Sequence, residues 1–344
     1  MEKKLRWGIL GVANINNRLL PAFARAAHTQ LIAIASRSLD RARSAAAAAS
    51  IPRAYGSYEA LLDDQDIDAV YNPLPNALHG EWTRKAAERG KHILCEKPLA
   101  PTATEAQGVI AFCRSKNVCL MEGFMWPHHP RTAKLRQFLD GGGIGAIRRV
   151  AGSFTFPLQP FDPANIRLQP QLAGGSLLDV GCYPVFGIRW AFGAEPVRVF
   201  AAAEYQHGVD VAMSGLLSFP DGRTGAFDCG FKLPLRGWLE ITGTDGVVTV
   251  PEMWLPSPRA TFYVQRENRP PEEVAVEGED QIVHMLEDFA RAVSRGEPVQ
   301  PAPENPARAH ELAHSDRVDH PERGHRDAGQ QGLPVDGSNG LQAQ

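Results

Sequence analysis

The stretch LRWGILGVANI, residues 5–15, is the strongest single indication of the fold of this protein. A short apolar run ends in glycine, and polar residues that begin a helix follow it. Gly8 and Gly11 stand where we expect the chain to turn tightly and to admit a pyrophosphate close to its backbone, with the small Ala13 just beyond. The start of the helix would then offer free N–H groups and a positive dipole end to the phosphates. The candidate cofactor contacts here are Gly8, Gly11, Ala13, Asn14 and Ile15.

The third glycine of the G-x-G-x-x-G pattern is absent, so the motif by itself fits an ordinary strand-to-helix turn equally well. The surrounding pattern favours a dinucleotide site. Up to about residue 125, the runs LIAIAS, IDAVYN, KHILCE and VCLME alternate with helical stretches. Ser38 is predicted to cap one helix, and Thr102 with Glu105 forms a capping box at another. Residues 1–125 are therefore predicted to form an α/β domain with a doubly wound parallel sheet of the Rossmann type.

The pattern changes in residues 126–300, where β-rich segments dominate. Asp221-Gly222 and Asp245-Gly246 are hairpin signals, which favour antiparallel pairing. One helix is predicted at about Val180 to Phe192, and another near the end, where apolar residues recur at helical spacing. The second domain is therefore predicted to be α+β, with a large and mainly antiparallel sheet.

The last residues, 301–344, have a different composition. They contain only five residues of the Leu, Ile, Val and Phe set and no apolar periodicity. Such a segment cannot bury a core, so we expect it to be disordered. A shift of reading frame near residue 305 is our hypothesis for its origin.

Bulk properties exclude several classes of function. The net charge of −3 is not typical of a nucleic-acid-binding protein, and no apolar run is long enough for a membrane span. The five cysteines are an odd number and include no CxxC pair, which favours reduced thiols in the cytoplasm. No His, Asp or Glu cluster has metal-ligand spacing, so we expect no metal.

The end of the second predicted strand indicates which dinucleotide is bound. NAD sites usually end this strand with an acidic residue, whereas this chain has Ser36, Arg37 and Ser38. An arginine pairs with the 2′-phosphate of NADP and a serine donates to it. The sequence therefore predicts NADP, although a solvated loop arginine would look the same.

The turn Glu96-Lys97-Pro98 follows the strand KHILC, at the edge where such sheets bind ligands. Lys97 could hold a substrate hydroxyl and stabilise negative charge, and Glu96 could position the lysine or the cofactor. A surface ion pair is the alternative. Farther on, GGSLLDVGCYPV places Asp179 as a predicted helix cap and Tyr183 one turn later. The Lys97 ammonium would lower the pKa of Tyr183 from its reference of about 10 and make it a proton carrier, while Asp179 would bind a sugar hydroxyl. The alternative is a capping aspartate beside a core tyrosine.

The segments RWGILG, PLPNALH, EKPLA and DVGCYPV together resemble the Gfo/Idh/MocA family of oxidoreductases, over about residues 5–300. The chain looks most similar to its NADP-dependent D-xylose dehydrogenases and dimeric dihydrodiol dehydrogenases. The resemblance implies that Lys97 is the key catalytic residue, that the Lys97–Pro98 bond is cis and that Tyr183 is the acid/base. It also implies that the nicotinamide end is lined by Asn72, Pro73, Leu74, Asn76 and His79.

The pocket sequence departs from the family pattern in EGFMWPHHP, where tryptophan, proline and histidine replace the usual tyrosine, arginine and phenylalanine. The identity of the sugar therefore stays open. The predicted substrate-binding residues are Trp126, Arg167, Asp179 and Tyr183.

The predicted reaction is hydride transfer between nicotinamide and a carbinol carbon of a sugar or polyol, such as an aldose oxidised to a lactone or a trans-dihydrodiol. The alternatives are a carbonyl or anhydro-sugar reductase, an NAD-dependent glycosidase that retains its cofactor, and a non-catalytic NADP sensor. The large open sheet and the resemblance both favour a homodimer or homotetramer.

Overall fold

The first sheet contains six parallel strands in the order β3-β2-β1-β4-β5-β6. The computed structural model describes residues 4–303. The strands are β1 (Leu5–Leu10), β2 (Thr29–Ala35), β3 (Arg53–Tyr55), β4 (Ala69–Asn72), β5 (His92–Cys95) and β6 (Leu120–Glu122). The helices between them are α1 (Asn16–Arg25), α2 (Leu39–Ala48), α3 (Tyr58–Leu62), α4 (His79–Glu88) and α5 (Ala103–Ser115). The predicted doubly wound parallel sheet is confirmed.

Local sequence signals explain where these helices begin. The side chain of Ser38 accepts a hydrogen bond from the N–H of Arg41 at 3.3 Å, and Thr102 accepts one from Glu105 at 3.2 Å. Both caps are as predicted, because each satisfies an N–H that the first helical turn leaves unpaired.

The strand order creates a topological switch point between β1 and β4. The chain runs outward in one direction from β1 to β3 and in the other from β4 to β6, so the loops after β1 and β4 diverge. A crevice forms at such a switch point, at the carboxyl ends of the strands. Gly11, Ser36, Asn72 and Glu96 each follow or end one of these strands and share this edge.

The second sheet has eight strands in the order β14-β13-β12-β11-β7-β10-β9-β8. All neighbours are antiparallel except β7 and β10, which run parallel. Its strands are β7 (Ile147–Thr155), β8 (Arg198–Gln206), β9 (Val209–Ser218), β10 (Thr224–Gly230), β11 (Arg236–Gly243), β12 (Val247–Val250), β13 (Arg259–Gln265) and β14 (Glu272–Glu277). The helices α6 (Pro130–Asp140) and α7 (Cys182–Phe192) precede and interrupt it, and the predicted α+β class is confirmed.

The last helix, α8 (Gln281–Arg295), packs on the first sheet. Ile282 and Phe289 are fully buried in a cluster with Trp7, whose ring centroid is 5.0 Å from that of Phe289. The sequence predicts this helix as part of the second domain, residues 126–300. The expectation of a disordered or frame-shifted tail concerns residues 301–344, which lie almost wholly outside the described range.

Candidate active site

Lys97 lies at the carboxyl edge of the first sheet, in the turn after β5, and reaches the second domain. Its ammonium donates to the carbonyl oxygen of Asp179 at 2.6 Å and to the Oδ1 of the same residue at 3.1 Å. The Lys97–Pro98 peptide bond is cis, as the family resemblance implied. The side chains of Lys97 and Asp179 are only 13% and 14% exposed, so the contact is not the solvated surface pair considered as the alternative.

Asp179 does not cap a helix, and that prediction is wrong. It lies inside a π-helical turn, Leu177–Gly181, that runs directly into α7. Its second carboxylate oxygen accepts a hydrogen bond from Nε of Arg167 at 2.6 Å. One carboxylate therefore joins two cations at the domain boundary, in a π-helical segment of the kind frequent at functional sites.

The charges in this array stabilise one another. Burial by itself lowers the pKa of Lys97, but the negative charge of Asp179 outweighs it and the pKa lies above the ordinary lysine value. Burial likewise raises the pKa of Asp179, and the charges of Lys97 and Arg167 outweigh that effect, so this pKa is lowered. Both groups are consequently ionised at neutral pH.

Tyr183 completes the array from the first turn of α7. The Lys97 Nζ lies 5.4 Å from the centroid of its ring, which also contacts Phe124 and Phe154 edge-on at 5.1 and 5.0 Å. Burial raises the pKa of the Tyr183 phenol well above its usual value, because the opposing effect of Lys97 is smaller. The predicted lowering of this pKa is therefore wrong. An aromatic cage disfavours the phenolate, and Asp179 already balances the lysine charge, so Tyr183 is a protonated donor.

The loop after β1 has one essential glycine rather than two. Gly11 has φ of +118°, which a residue with a side chain rarely adopts, and forms the turn as expected. Gly8 lies within β1 and not in the turn, where a Cβ would come 2.7 Å from Leu61. The expectation that Gly8 approaches a pyrophosphate is therefore wrong, and its small size serves packing.

The start of α1 faces this loop. The first turn of the helix contains no acidic residue, so its positive end is not neutralised there. The buried Asn16 donates through Nδ2 to the Gly11 carbonyl at 2.9 Å and braces the turn. Sequence reasoning missed Asn16, although an asparagine just after the glycine turn is a recognisable signal. Three predicted contacts surround the turn with half-buried or exposed side chains: Ala13, Asn14 and Ile15.

The residues that follow β2 form a short polar ridge beside the same loop. Ser36 is buried, and its Oγ accepts a hydrogen bond from the N–H of Ser38 at 3.3 Å. Arg37 is exposed. Arg41, which sequence reasoning missed, donates from the first turn of α2 to the Val12 carbonyl at 2.9 Å and links the ridge to the glycine loop. Two arginines therefore stand where a 2′-phosphate is expected.

The loop after β4 is internally braced. Asn72 is fully buried, donates to Thr83 Oγ1 and to the His79 carbonyl at 3.3 Å, and accepts from the Leu74 N–H at 3.3 Å. Pro73 is buried beside it. At the end of the loop, Asn76 donates to the carbonyl of Ala173 at 2.8 Å and connects the two domains.

His79 does not line the nicotinamide end with an accessible side chain, contrary to expectation. It is fully buried, and its two ring nitrogens lie 2.6 Å from the carbonyl oxygens of Pro98 and Leu74. Burial lowers its pKa to about 4, against the raising effect of those two contacts. His79 therefore holds the Asn72 loop against the lysine turn.

Glu96 is buried behind Lys97. Its Oε1 accepts a hydrogen bond from the hydroxyl of Tyr71 at 2.5 Å, and burial raises the pKa of its carboxyl group. Tyr71 lies in β4 and was not predicted as a site residue, because only the sheet register brings it beside Glu96.

Trp126 is not a pocket residue, and its prediction as a substrate contact is wrong. It is 0% exposed, and its ring packs on Phe186, Trp190 and Trp254 at centroid distances of 5.2 to 5.6 Å. Arg167 is half-buried instead at a small cleft of about 50 Å³. The cleft is lined by Pro75, Asn76, Ile166, Arg167, Leu172, Gly174 and Asp179.

Within residues 4–303, no group of three or more His, Cys, Asp and Glu side chains could hold a metal ion. No helix there is long and apolar enough to cross a membrane.

The first domain is a Rossmann sheet, and an ionised lysine at its carboxyl edge contacts a helical segment of the α+β domain. This is the architecture of a two-domain dehydrogenase. Residues 5–124 match the model of the Gfo/Idh/MocA oxidoreductase family with an NAD-binding Rossmann fold, and residues 132–249 match the C-terminal domain of the same family. The chain belongs to the Gfo/Idh/MocA oxidoreductase family.

Similar proteins cover most of the chain. A D-xylose 1-dehydrogenase (NADP(+)) from Haloferax volcanii is 40% identical over 85% of this chain and 90% of its own length. A dTDP-3,4-didehydro-2,6-dideoxy-alpha-D-glucose 3-reductase from Saccharopolyspora spinosa is 35% identical over 86% and 90%. The crystal structure of a 3-ketoreductase from Actinomadura kijaniata with NADP and TDP-benzene has a TM-score of 0.83 and 34% identity, covering 90% of this chain and 96% of that one.

Proposed function

We propose that this protein is an NADP(H)-dependent dehydrogenase that transfers hydride between nicotinamide and a carbinol carbon of a sugar or polyol. One observation carries the proposal: the ionised Lys97, bound to Asp179 and stacked beside Tyr183, lies at the sheet edge where the glycine loop also ends. A cation and a proton donor beside a dinucleotide loop are the groups that a carbinol–carbonyl conversion requires.

The described residues fit NADP. Gly11 opens the turn before an α1 terminus without acidic residues, which suits a pyrophosphate. Arg37 is exposed and makes no ion pair with another residue in the 4–303 range, and the strand before it ends without an acid. The NADP prediction agrees with the relatives, one of which is named for NADP and another of which was crystallised with it.

The roles of the site residues follow from their charges. NADP, held by the Gly11 turn and by Arg37 after β2, would supply or accept the hydride. Lys97 holds the reacting oxygen and stabilises its developing negative charge. Tyr183 delivers the proton to that oxygen in the reduction direction, and it takes the proton as the phenolate in the oxidation direction. Asp179 and Arg167, at the cleft, bind further hydroxyls. Lys97 must share its hydrogen bonds between Asp179 and the substrate, since an ammonium has three donors.

A second candidate is a reductase of a carbonyl sugar. Tyr183 is protonated at neutral pH because burial raises its pKa, so the resting site is ready to donate a proton to a carbonyl oxygen. The relatives named as keto-sugar 3-reductases, at 34 to 37% identity, point the same way.

A substrate panel tests the proposal and separates the candidates. Aldoses including D-xylose, 1,5-anhydro sugars, a trans-dihydrodiol and a keto sugar are each assayed with NADP(H) and with NAD(H), following the absorbance of the reduced cofactor. Turnover with NADP(H) supports the proposal, and its direction selects between dehydrogenase and reductase. Cleavage of an added aryl glycoside without net change in added NADP would indicate the cofactor-retaining glycosidase. No turnover with any substrate in either direction overturns the proposal.

We also propose that the protein is a cytoplasmic homodimer or homotetramer. The outer face of the second sheet exposes Phe200 and Leu216, each more than half accessible, at the rim of a concavity of about 620 Å³. Large exposed apolar patches favour association. All five cysteines are free thiols, which agrees with a reducing compartment. Light scattering in solution measures the assembly, and a monomer would contradict it.

A further inference from the structure

A half-buried carboxylate in β9, that of Asp210, caps the π-helical turn that carries Asp179. The Oδ2 of Asp210 accepts a hydrogen bond from the hydroxyl of Ser176 at 2.6 Å and another from the N–H of Leu177 at 2.7 Å. These are the residues at which the turn begins. The cap therefore satisfies donors that the first residues of a helical segment leave without internal partners.

Gly175, just before the turn, packs against the Asp210 carboxylate more closely than a residue with a side chain could. Gly175 has φ of +117°, and a Cβ on it would come 2.3 Å from the Oδ1 of Asp210. The carbonyl of Gly175 in turn accepts the N–H of Asp179 at 3.1 Å. At the other end of the turn, a Cβ on Gly181 would come 2.7 Å from the Sγ of Cys229 in β10. Two neighbouring strands thus hold both ends of the segment.

We propose that Asp210 is a positioning residue for Lys97, and this inference rests on the proposed function. Asp210 fixes the start of the turn, the turn fixes both oxygens of Asp179 that bind Lys97, and those oxygens aim the ammonium. The contacts at 2.6 and 3.1 Å between Lys97 and Asp179 depend on this chain of hydrogen bonds. Asp210 itself touches neither Lys97 nor the cleft.

Three variants separate positioning from general stability. Asp210→Ala removes both bonds, Asp210→Asn keeps an acceptor of the same shape, and Asp228→Asn is the matched control. Asp228 lies in the adjacent strand β10 on the opposite face of the sheet, where it accepts from Ser153 at 2.8 Å and Arg236 at 2.7 Å. Each protein is measured for kcat, for KM, for NADP affinity by fluorescence titration and for the Lys97 ammonium signal by nitrogen-15 NMR, assigned by its loss in Lys97→Arg.

The expected result for Asp210→Ala is a fall in kcat of about ten-fold or more with NADP affinity within about two-fold, since small misplacement of a reacting group costs large factors in rate. The Lys97 signal shifts or broadens in the same variant. Asp210→Asn restores most of the rate, and the control leaves both the rate and the signal unchanged.

An unchanged kcat and an unchanged Lys97 signal in folded Asp210→Ala overturn the inference. If that variant does not fold, Ser176→Ala takes its place, because it removes the 2.6 Å bond to Asp210, together with a 3.6 Å contact to Cys229 Sγ, and keeps the Leu177 N–H bond. The Lys97 ammonium signal must then shift or broaden in Ser176→Ala, and an unchanged signal refutes the positioning role of Asp210. Where no substrate in the panel turns over, the proposed function fails, but the NMR comparison still decides the role of Asp210.

Discussion

Replacing Asp179 with asparagine removes the charge that keeps Lys97 protonated while preserving the size of the side chain. At the 3.1 Å separation of Lys97 Nζ and Asp179 Oδ1, an effective dielectric constant of about 20 gives an attraction of about 5 kcal/mol. One pKa unit corresponds to about 1.4 kcal/mol, so losing this attraction should lower the pKa of Lys97 by more than one unit. Without this attraction, the nearest anion no longer opposes the lowering of the Lys97 pKa by burial, and we expect that pKa to fall below the value of an ordinary lysine.

The pH dependence of kcat/KM reports this change. Lys97 acts as an ammonium, which is present only below its pKa. Because this pKa is raised in the wild type, the enzyme should stay active to strongly alkaline pH. In Asp179→Asn the pKa is lower, and activity should be lost at correspondingly lower pH. The variant should also be destabilised by about 3–5 kcal/mol, because a buried ion pair loses one partner.

The assay is a kcat/KM profile from about pH 6 to about pH 10, where ordinary histidine and lysine groups titrate, with the folded fraction checked by circular dichroism at each point. Asp228→Asn serves as the control, since its carboxylate pairs with Arg236 on the other face of the sheet. A variant profile that matches the wild type at alkaline pH would refute the argument that Asp179 sets the charge of Lys97.

Three further substitutions test individual roles. Lys97→Ala should abolish turnover while NADP affinity, measured by fluorescence titration, stays largely intact, and full activity would remove the mechanism. Tyr183→Phe keeps the ring contacts with Phe124 and Phe154 but loses the proton donor, so kcat should fall by about 10²–10⁴ with little change in melting temperature. A melting temperature that falls with the rate would instead indicate a packing role. Arg37→Ala should weaken NADP by about ten-fold or more and leave NAD unaffected, because a charged hydrogen bond contributes about 1.5–3 kcal/mol. Equal losses for both cofactors in KM measurements would argue against 2′-phosphate recognition.

Local signals made much of the fold predictable. The caps at Ser38 and Thr102 and the glycine turn at Gly11 depend on residues within a few positions of each other. The alternation of apolar runs and helices determines a parallel sheet, because the connections between short strands are long enough to be crossovers. The hairpin signals at Asp221-Gly222 and Asp245-Gly246 lie between strands that pair antiparallel, as expected.

Several site predictions failed because burial is a property of the whole molecule. Trp126 and His79 carry side chains typical of binding sites, and packing from other parts of the chain encloses both. Gly8 lies within β1, where Leu61 packs so closely that only a residue without a side chain fits. The pKa of Tyr183 rises because Phe124 and Phe154, distant in sequence, exclude water from the phenol.

Periodicity and short motifs were enough to predict the two-domain class, the turn Glu96-Lys97-Pro98 at the sheet edge and the polar residues around Arg37. The contacts of Lys97 could not be predicted in this way, because they depend on the packing of the two domains. Asp179 lies 82 positions away, and its carboxylate meets the ammonium only after the π-helical turn has packed on the second sheet. Electrostatic interactions fall with distance in space and not along the chain, so the charge state of the site follows from the fold.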